Sequence, residues 1–368
     1  MRMAINSKEK WEAYKETELA ALTPVLARHG LTLEEEQPHI AGERYLMQAV
    51  TTESGRKLIL LARTEDRVRV VIKATRDAGG ARELRRERSS RNLIRKMRFA
   101  YEVFHTPEEI AFFSEDGFTV SIQRFIDQAS PFLNRPLKEQ FALALSTFKA
   151  QEGAHATTYA HLRDVQKRFE TMDSSDYLMS FAEFILRTSA ELDDTDLKTL
   201  LLEAGAFLKE GRGTIEQYTG FLTHTDFVPH NFRVVGSDIY LLDHSSIRFG
   251  NKHEGWARFL NFMALYNPEL EQALTDYVRL NRSQEELRSL TLMRVYRLGE
   301  IIWYYTRTLA KSTGDLHTLN RARVSFWTRM LDAVLKGERL RVEELSAYRS
   351  LRDSLRSEDE KRRQKDLH

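Results

Sequence analysis

The apolar residues of this chain change their spacing along its length. Near the start, a stripe of apolar side chains recurs about every 3.6 residues, which predicts an amphipathic helix over residues 7–29 that ends at Gly30. Alternating runs bounded by turn-forming residues then predict strands at 44–51, 57–63, 67–74, 109–114 and 118–125. A helix from Gly79-Gly80 to about Met97 interrupts these strands.

From Pro136 onward the spacing becomes mostly helical. It predicts helices at 137–151, 155–170, 175–188, 193–220, 256–266, 268–281, 283–312, 317–335 and 341–356. A strand pair at 232–235 and 239–243 interrupts them. Strands and helices segregated in this way indicate an α+β fold rather than a doubly wound sheet. We expect four parts: a helix (1–30), a sheet-rich part (31–128), a helical part (129–356) and a disordered tail (357–368).

Composition narrows the class of protein. Of the 368 residues, 42% are hydrophobic and 20 are Phe, which is typical of a folded chain with a large core. Cysteine is absent, which excludes disulfides and thiolate sites and fits the cytoplasm. No run approaches the roughly 18 apolar residues that span a bilayer, and we see no signal peptide, so we expect no membrane partner.

The segment from His224 to Asp243 carries the residues best suited to chemistry. Asp226 and Asn231 are five residues apart in a loop, and Asp243 follows a predicted hairpin. Phosphoryl transfer needs an anchored triphosphate, metal ions on its oxygens and a group that orients the attacking hydroxyl. Asp226 is placed for the last role, and Asn231 and Asp243 offer hard oxygen ligands for magnesium. The segment therefore indicates a phosphoryl-transfer site.

An upstream strand offers a partner for this segment. Lys73 ends the apolar run at 70–72, where a lysine is expected only if its ammonium meets phosphate or a carboxylate. The following helix supplies Glu83 and Glu87 as candidates. The Ser54-Gly55 turn between two predicted strands could present backbone N–H groups to phosphates.

Together these motifs resemble a known superfamily. A strand lysine, a helical glutamate, His-x-Asp-x-x-x-x-Asn and a strand-ending aspartate are similar to those of the aminoglycoside phosphotransferases and choline kinases. The resemblance is specific within 224–243 and looser over the rest of about 40–310. It implies a two-lobed protein-kinase-like fold, with a small antiparallel-sheet N-lobe (31–128) that binds nucleotide. The larger helical C-lobe (129–356) would hold the catalytic loop and the acceptor site.

The resemblance also implies a role for each candidate residue. The protein would be a kinase that moves the γ-phosphoryl group of ATP, with Mg²⁺, to a hydroxyl of a small molecule. We expect His224 to support the catalytic loop through backbone hydrogen bonds rather than to bind metal. The implied roles are Asp226 as catalytic base, Asn231 and Asp243 as magnesium ligands, and Lys73, Glu87, Ser54 and Gly55 as the nucleotide-binding group.

Other interpretations stay open. Thr225 stands where the superfamily usually has glycine, and His244-Ser245 departs from its pattern, so a non-catalytic kinase-like binding module is one alternative. A metal-dependent hydrolase using the histidines around Asp226 is another. The basic helix 82–98 is typical of a solvated face, and we do not expect nucleic acid as a partner. The sequence does not identify the acceptor.

Overall fold

The computed structural model describes residues 7–35, 37, 57–97, 105–153 and 159–356. Three features expected from the sequence lie outside these residues: the strand at 44–51, the Ser54-Gly55 turn and the tail at 357–368.

The first part of the chain forms an antiparallel sheet flanked by helices. Its elements are α1 (Ser7–Arg28), β1 (Leu31–Leu33), β2 (Leu58–Thr64), β3 (Arg69–Thr75), α2 (Ala78–Met97), β4 (Glu109–Glu115) and β5 (Phe118–Arg124). The sheet order is β1-β2-β3-β5-β4, so β3 lies at its centre. Lys73 on β3 pairs with Ile59 on one side and Ser121 on the other. Buried aliphatic residues of this sheet and of α1 form a separate small core.

Two turns explain where the strands of this sheet begin and end. Asp116 and Gly117 have φ angles of 48° and 80°, the left-handed conformation that reverses the chain between β4 and β5. Arg67 also has a positive φ, 62°, and its N–H bonds to the Thr64 carbonyl at 2.8 Å. Arg67 therefore belongs to a turn, and β3 begins at Arg69 rather than at the predicted residue 67.

The second part of the chain is mainly helical. Its helices are α3 (Leu137–Gly153), α4 (Tyr159–Arg168), α5 (Ser174–Glu191), α6 (Thr195–Glu210), α7 (Arg212–Gln217), α8 (Glu254–Tyr266), α9 (Pro268–Asn281), α10 (Gln284–Leu309), α11 (Gly314–Lys336) and α12 (Val342–Ser354). Two antiparallel ribbons, β6 (Phe221–His224) with β9 (Ile247–Gly250) and β7 (Phe232–Val235) with β8 (Asp238–Leu241), lie between α7 and α8. Helix α10 packs against α5, α8 and α11 and forms the centre of the large core.

Some elements differ from those predicted. The single helix predicted at 193–220 is two helices, α6 and α7, which meet at Gly211. A Cβ on Gly211 would lie 2.5 Å from Leu292 Cδ2, so a larger residue there would require the Leu292 side chain of α10 to move. The short strands β1, β6 and β9 were not predicted, and the strand predicted at 239–243 ends at Leu241.

Candidate functional site

The loop that carries Asp226 is anchored at both ends. It leaves β6 at His224 and returns into β7 through a 3₁₀ turn at Pro229–Asn231. Thr225 donates from its N–H at 2.8 Å and from its Oγ1 at 3.0 Å to the carbonyl of Ser246, beside β9. The threonine that departs from the superfamily pattern thus ties this loop to the segment that follows Asp243.

Asp226 is held by two side chains. Arg258 Nε donates to Oδ1 at 2.8 Å, and Asn231 Nδ2 donates at 2.8 Å both to Oδ2 and to the Asp226 carbonyl. About a third of the Asp226 side chain, 35%, is exposed. Burial would raise its pKa, but the charges of Arg258, His224 and Arg297 outweigh burial and hold the pKa well below its usual range. Asp226 is therefore a fixed, ionised acceptor of hydrogen bonds.

Asp243 lies beside this loop. Its Oδ1 accepts from Ser245 N at 2.8 Å and Ser245 Oγ at 2.7 Å, whereas Oδ2 receives only a 3.3 Å bond from Ser246 Oγ. His224 Nε2 lies 2.6 Å from the Asp243 carbonyl oxygen, and so acts as the donor. Burial would raise the pKa of Asp243, but Lys73 and the Ser245 bond keep it well below its usual range.

Lys73 joins the sheet to this loop region. Its Nζ lies 2.7 Å from Glu87 Oε1 and donates at 2.9 Å to the carbonyl of Leu242, the residue before Asp243. Only 10% of the Lys73 side chain and 3% of the Glu87 side chain are exposed. Glu83, the other carboxylate considered, pairs instead with Lys57 at 2.6 Å. Glu87 is therefore the partner of Lys73.

The donor set around Asn231 and Asp243 fits a hard cation. Both side-chain N–H bonds of Asn231 donate to Asp226, so the amide oxygen of Asn231 points away from Asp226. This oxygen accepts no hydrogen bond from the described residues. One neutral oxygen and one carboxylate suit Mg²⁺, which completes its octahedron with water and phosphate oxygens. Within the described ranges, no group of three or more His, Asp and Glu side chains could hold a metal ion alone. The structure thus lends no support to a hydrolase cluster.

The start of α8 supplies residues that the sequence did not single out. Gly255 N donates to Thr223 Oγ1 at 3.0 Å, and a Cβ here would lie 3.1 Å from the His224 carbonyl oxygen. Glu254 is fully buried and accepts from Tyr177 Oη at 2.7 Å and from Arg297 Nη1 at 3.2 Å. These contacts seat α8 against β6. They bring Arg258, one turn further along, to Asp226.

The basic face of α2 is partly neutralised by acids of the neighbouring elements. Arg88 Nε and Arg91 Nη2 contact the two carboxylate oxygens of Glu109 at 2.9 and 2.5 Å. None of the helices in the described part of the chain is long and apolar enough to cross a membrane.

Comparison with known proteins identifies solved structures that share the fold of this chain. No family model and no curated protein matches the chain. Among solved structures, a thermostable mutant of aminoglycoside phosphotransferase APH(4)-Ia superposes with a TM-score of 0.56 at 14% identity, covering 78% of this chain and 92% of that one. Amicoumacin kinase hAmiN, in complex with AMP-PNP, Ca²⁺ and Ami, gives 0.55 at 10% identity over 88% and 96% of the two chains. Macrolide 2′-phosphotransferase type I gives 0.52 at 14% identity over 90% and 99%.

The chain has the two-lobed kinase-like fold of these phosphotransferases. The expected α+β architecture is therefore confirmed, with the five-stranded sheet as the smaller lobe and the helical part as the larger. The motifs at 224–243 predicted a resemblance to kinase-like phosphotransferases, and the fold confirms this resemblance.

Proposed function

We propose that the protein is an ATP-dependent phosphotransferase that moves the γ-phosphoryl group to a hydroxyl of a small molecule. The observation that carries this proposal is the bond from Lys73 Nζ to the Leu242 carbonyl. Because this bond brings the sheet lysine to the residue before Asp243, it supports a site in which Lys73 would contact the phosphates and Asp243 would bind the metal. The amicoumacin kinase structure, which holds AMP-PNP, supports the choice of nucleotide.

Each side chain of the cleft would have one task. Lys73, oriented by Glu87, would contact the phosphates, and backbone N–H groups at Ser54 and Gly55, where the sequence predicts a turn, would also bind them. Asn231 and Asp243 would hold Mg²⁺, which neutralises charge on the phosphate oxygens when bound. Since Asp226 is ionised and fixed, it would accept the hydrogen bond of the acceptor hydroxyl and align it for attack. The rate gain would come from positioning and electrostatics.

A binding module remains the second candidate, because one observation favours it. Asp226 already has Arg258 on one oxygen and Asn231 on the other. An aspartate that served only to brace the loop would be bonded in the same way. The two candidates differ in turnover rather than in nucleotide binding.

The test combines a binding titration with a turnover assay. Wild-type protein is titrated with ATP in Mg²⁺ and in EDTA while thermal unfolding is followed, and ADP release is measured with a panel of hydroxyl compounds. Saturating MgATP at about 100 times Kd should stabilise the fold by about 2.7 kcal/mol. Asp226→Asn should keep this stabilisation and lose ADP release.

Three other results would change the interpretation. Stabilisation by MgATP without ADP release for any compound would favour the module. Absence of stabilisation would reject nucleotide binding altogether. Loss of nucleotide binding in Asp226→Asn would contradict the acceptor-orienting role.

A further inference from the structure

Arg258 uses its guanidinium differently from three other buried or half-buried arginines. Arg91, Arg294 and Arg297 each place a terminal Nη group on a carboxylate, at 2.5 Å from Glu109, 2.6 Å from Glu271 and 2.6 Å from Glu300. Arg258 instead gives Nε to Asp226 at 2.8 Å. Its two terminal amino groups make no hydrogen bond to any part of the chain that the structure describes.

The position of these terminal groups follows from the bond to Asp226. An arginine guanidinium is a rigid planar fork. With Nε fixed on Asp226 Oδ1, the Nη groups must lie close to the carboxylate, and 19% of the Arg258 side chain is exposed. Arg258 therefore presents donors that no described residue accepts, and it does so beside the carboxylate that would bind the acceptor hydroxyl.

The neighbouring residues of α8 do not offer these donors a protein anion. One and two turns further along the same face are Phe262 and Tyr266, whose rings stack at 4.1 Å. One turn earlier, Glu254 is fully buried and committed to Tyr177 and Arg297. The face of α8 that continues from Arg258 is thus aromatic, and the second of its rings, Tyr266, contacts the guanidinium of Arg352.

We infer that Arg258 recognises an anionic group on the acceptor, so that the substrate is a hydroxyl compound bearing a carboxylate or phosphate close to the hydroxyl that is phosphorylated. This inference rests on the proposed phosphotransfer function and adds the substrate class. A hydroxyl bonded to Asp226 has its neighbouring substituents within reach of the Nη groups. An oxyanion there gains charge-assisted, bidentate hydrogen bonds, whereas an ammonium group is repelled.

An acceptor site with Arg258 in this position does not suit a polycationic substrate. A cationic acceptor would have to place its amine next to the Arg258 guanidinium. Among the described residues the carboxylate partner of Arg258 is Asp226, which is also the residue that would bind the acceptor hydroxyl. An anionic acceptor leaves the Arg258–Asp226 contact intact and accepts hydrogen bonds from the Nη groups, for which no described residue is an acceptor.

The test uses sets of related acceptors whose members carry different charges. Glycerol is compared with glycerate and glycerol 3-phosphate, and glucose with glucuronate, glucose 6-phosphate and the cationic glucosamine. Binding to the full chain with Mg²⁺ and AMP-PNP is measured by ligand-observed NMR, and ADP release is measured with ATP. We expect the anionic member of a set to bind about tenfold or more tightly than the neutral one. Whether carboxylate or phosphate is preferred identifies the anion.

Variants assign that preference to Arg258. Arg258→Met should remove the preference, reducing anion affinity to that of the neutral compound, and Arg258→Lys should retain part of it. Arg279→Met is the matched control, because Arg279 lies on the exposed surface of α9 and pairs with Asp276. It should leave every affinity unchanged.

The outcomes against the inference are specific. It is wrong if neutral or cationic members bind as well as the anions, if no anion binds, or if the preference survives Arg258→Met. It is also wrong if Arg258→Met weakens AMP-PNP binding instead, since Arg258 would then act on the nucleotide. Failure of the proposed function gives a different result, because AMP-PNP then does not bind. In that case anion binding and its dependence on Arg258 are measured on the protein without nucleotide.

Discussion

The buried pair Lys73–Glu87 predicts an asymmetric loss of stability. Glu87 is nearly inaccessible, and besides Lys73 at 2.7 Å it has Arg91 Nη1 at 3.6 Å. Replacing Glu87 by glutamine therefore leaves Lys73 and Arg91 facing a neutral amide, and of these two cations only Arg91 keeps a carboxylate partner within 4 Å among the described residues, Glu109. Replacing Lys73 by methionine leaves Glu87 with Arg91 as a remaining counter-charge. The glutamate variant should be the more damaged of the two.

The magnitudes follow from these partners. Breaking a buried pair by removing one member costs about 3–5 kcal/mol, and we place Glu87→Gln near 3 kcal/mol because glutamine keeps a hydrogen bond. Lys73→Met loses the bond to the Leu242 carbonyl and to Glu87, but Arg91 limits the cost to about 1.5 kcal/mol. The double variant should cost less than the sum, because the second change removes the charge left unpaired by the first.

Urea unfolding followed by far-UV circular dichroism measures these free energies of unfolding. Lys57→Met is the matched control, because it breaks a pair of similar length, 2.6 Å, in which Glu83 is 32% exposed. The control should cost less than about 1 kcal/mol. If Lys73→Met destabilises as much as Glu87→Gln, or if the two losses add, Arg91 does not compensate and the reasoning fails.

Three further changes test other parts of the structure. Asp243→Ala should abolish the Mg²⁺-dependent part of ATP binding; if the variant binds ATP more tightly in Mg²⁺ than in EDTA by the same factor as wild type, Asp243 is not a ligand. Gly255→Ala should destabilise the fold by about 1–3 kcal/mol in urea unfolding and lower turnover, because its Cβ would press on Thr223 Oγ1 at 3.0 Å and on the His224 carbonyl; an unchanged stability would show that the loop yields freely. Burial, with Lys252 and Arg282 nearby, keeps the pKa of His253 well below its usual range, so the folded state holds it neutral. Its contribution is present above about pH 6.5 and falls by up to about 1.4 kcal/mol per pH unit below it, and His253→Gln should flatten the fall in unfolding free energy between pH 7.5 and 5.

The fold class could be predicted from the sequence, and so could several of the residues that lie around Lys73, Asp226 and Asp243. Helical spacing after Pro136 and alternating runs before it distinguish the two parts of the chain. Lys73, Asp226, Asn231 and Asp243 stood out because a lysine ending an apolar strand and an Asp–Asn loop have few structural uses.

What the sequence lacked were signals for contacts that form only after folding. The strands β6 and β9 have four residues each, too few for alternation to register, and they pair across an intervening hairpin. Gly211, where α6 and α7 meet, packs against Leu292, more than 80 residues away. Arg258 occupies an ordinary position in an amphipathic helix. Its bond to Asp226 spans 32 residues and requires the close approach of Gly255 to β6.

The contacts of Lys73 have a consequence for how a ligand would enter. A lysine ammonium has three N–H donors, and here one goes to Glu87 and one to the Leu242 carbonyl. A phosphate oxygen can take the third without breaking either bond. The contacts of Lys73 are thus already in an arrangement that phosphate binding can keep, and the reorganisation that binding demands should be small. Amide hydrogen exchange around β3 and Leu242 should therefore slow on nucleotide binding without any compensating acceleration elsewhere in the sheet.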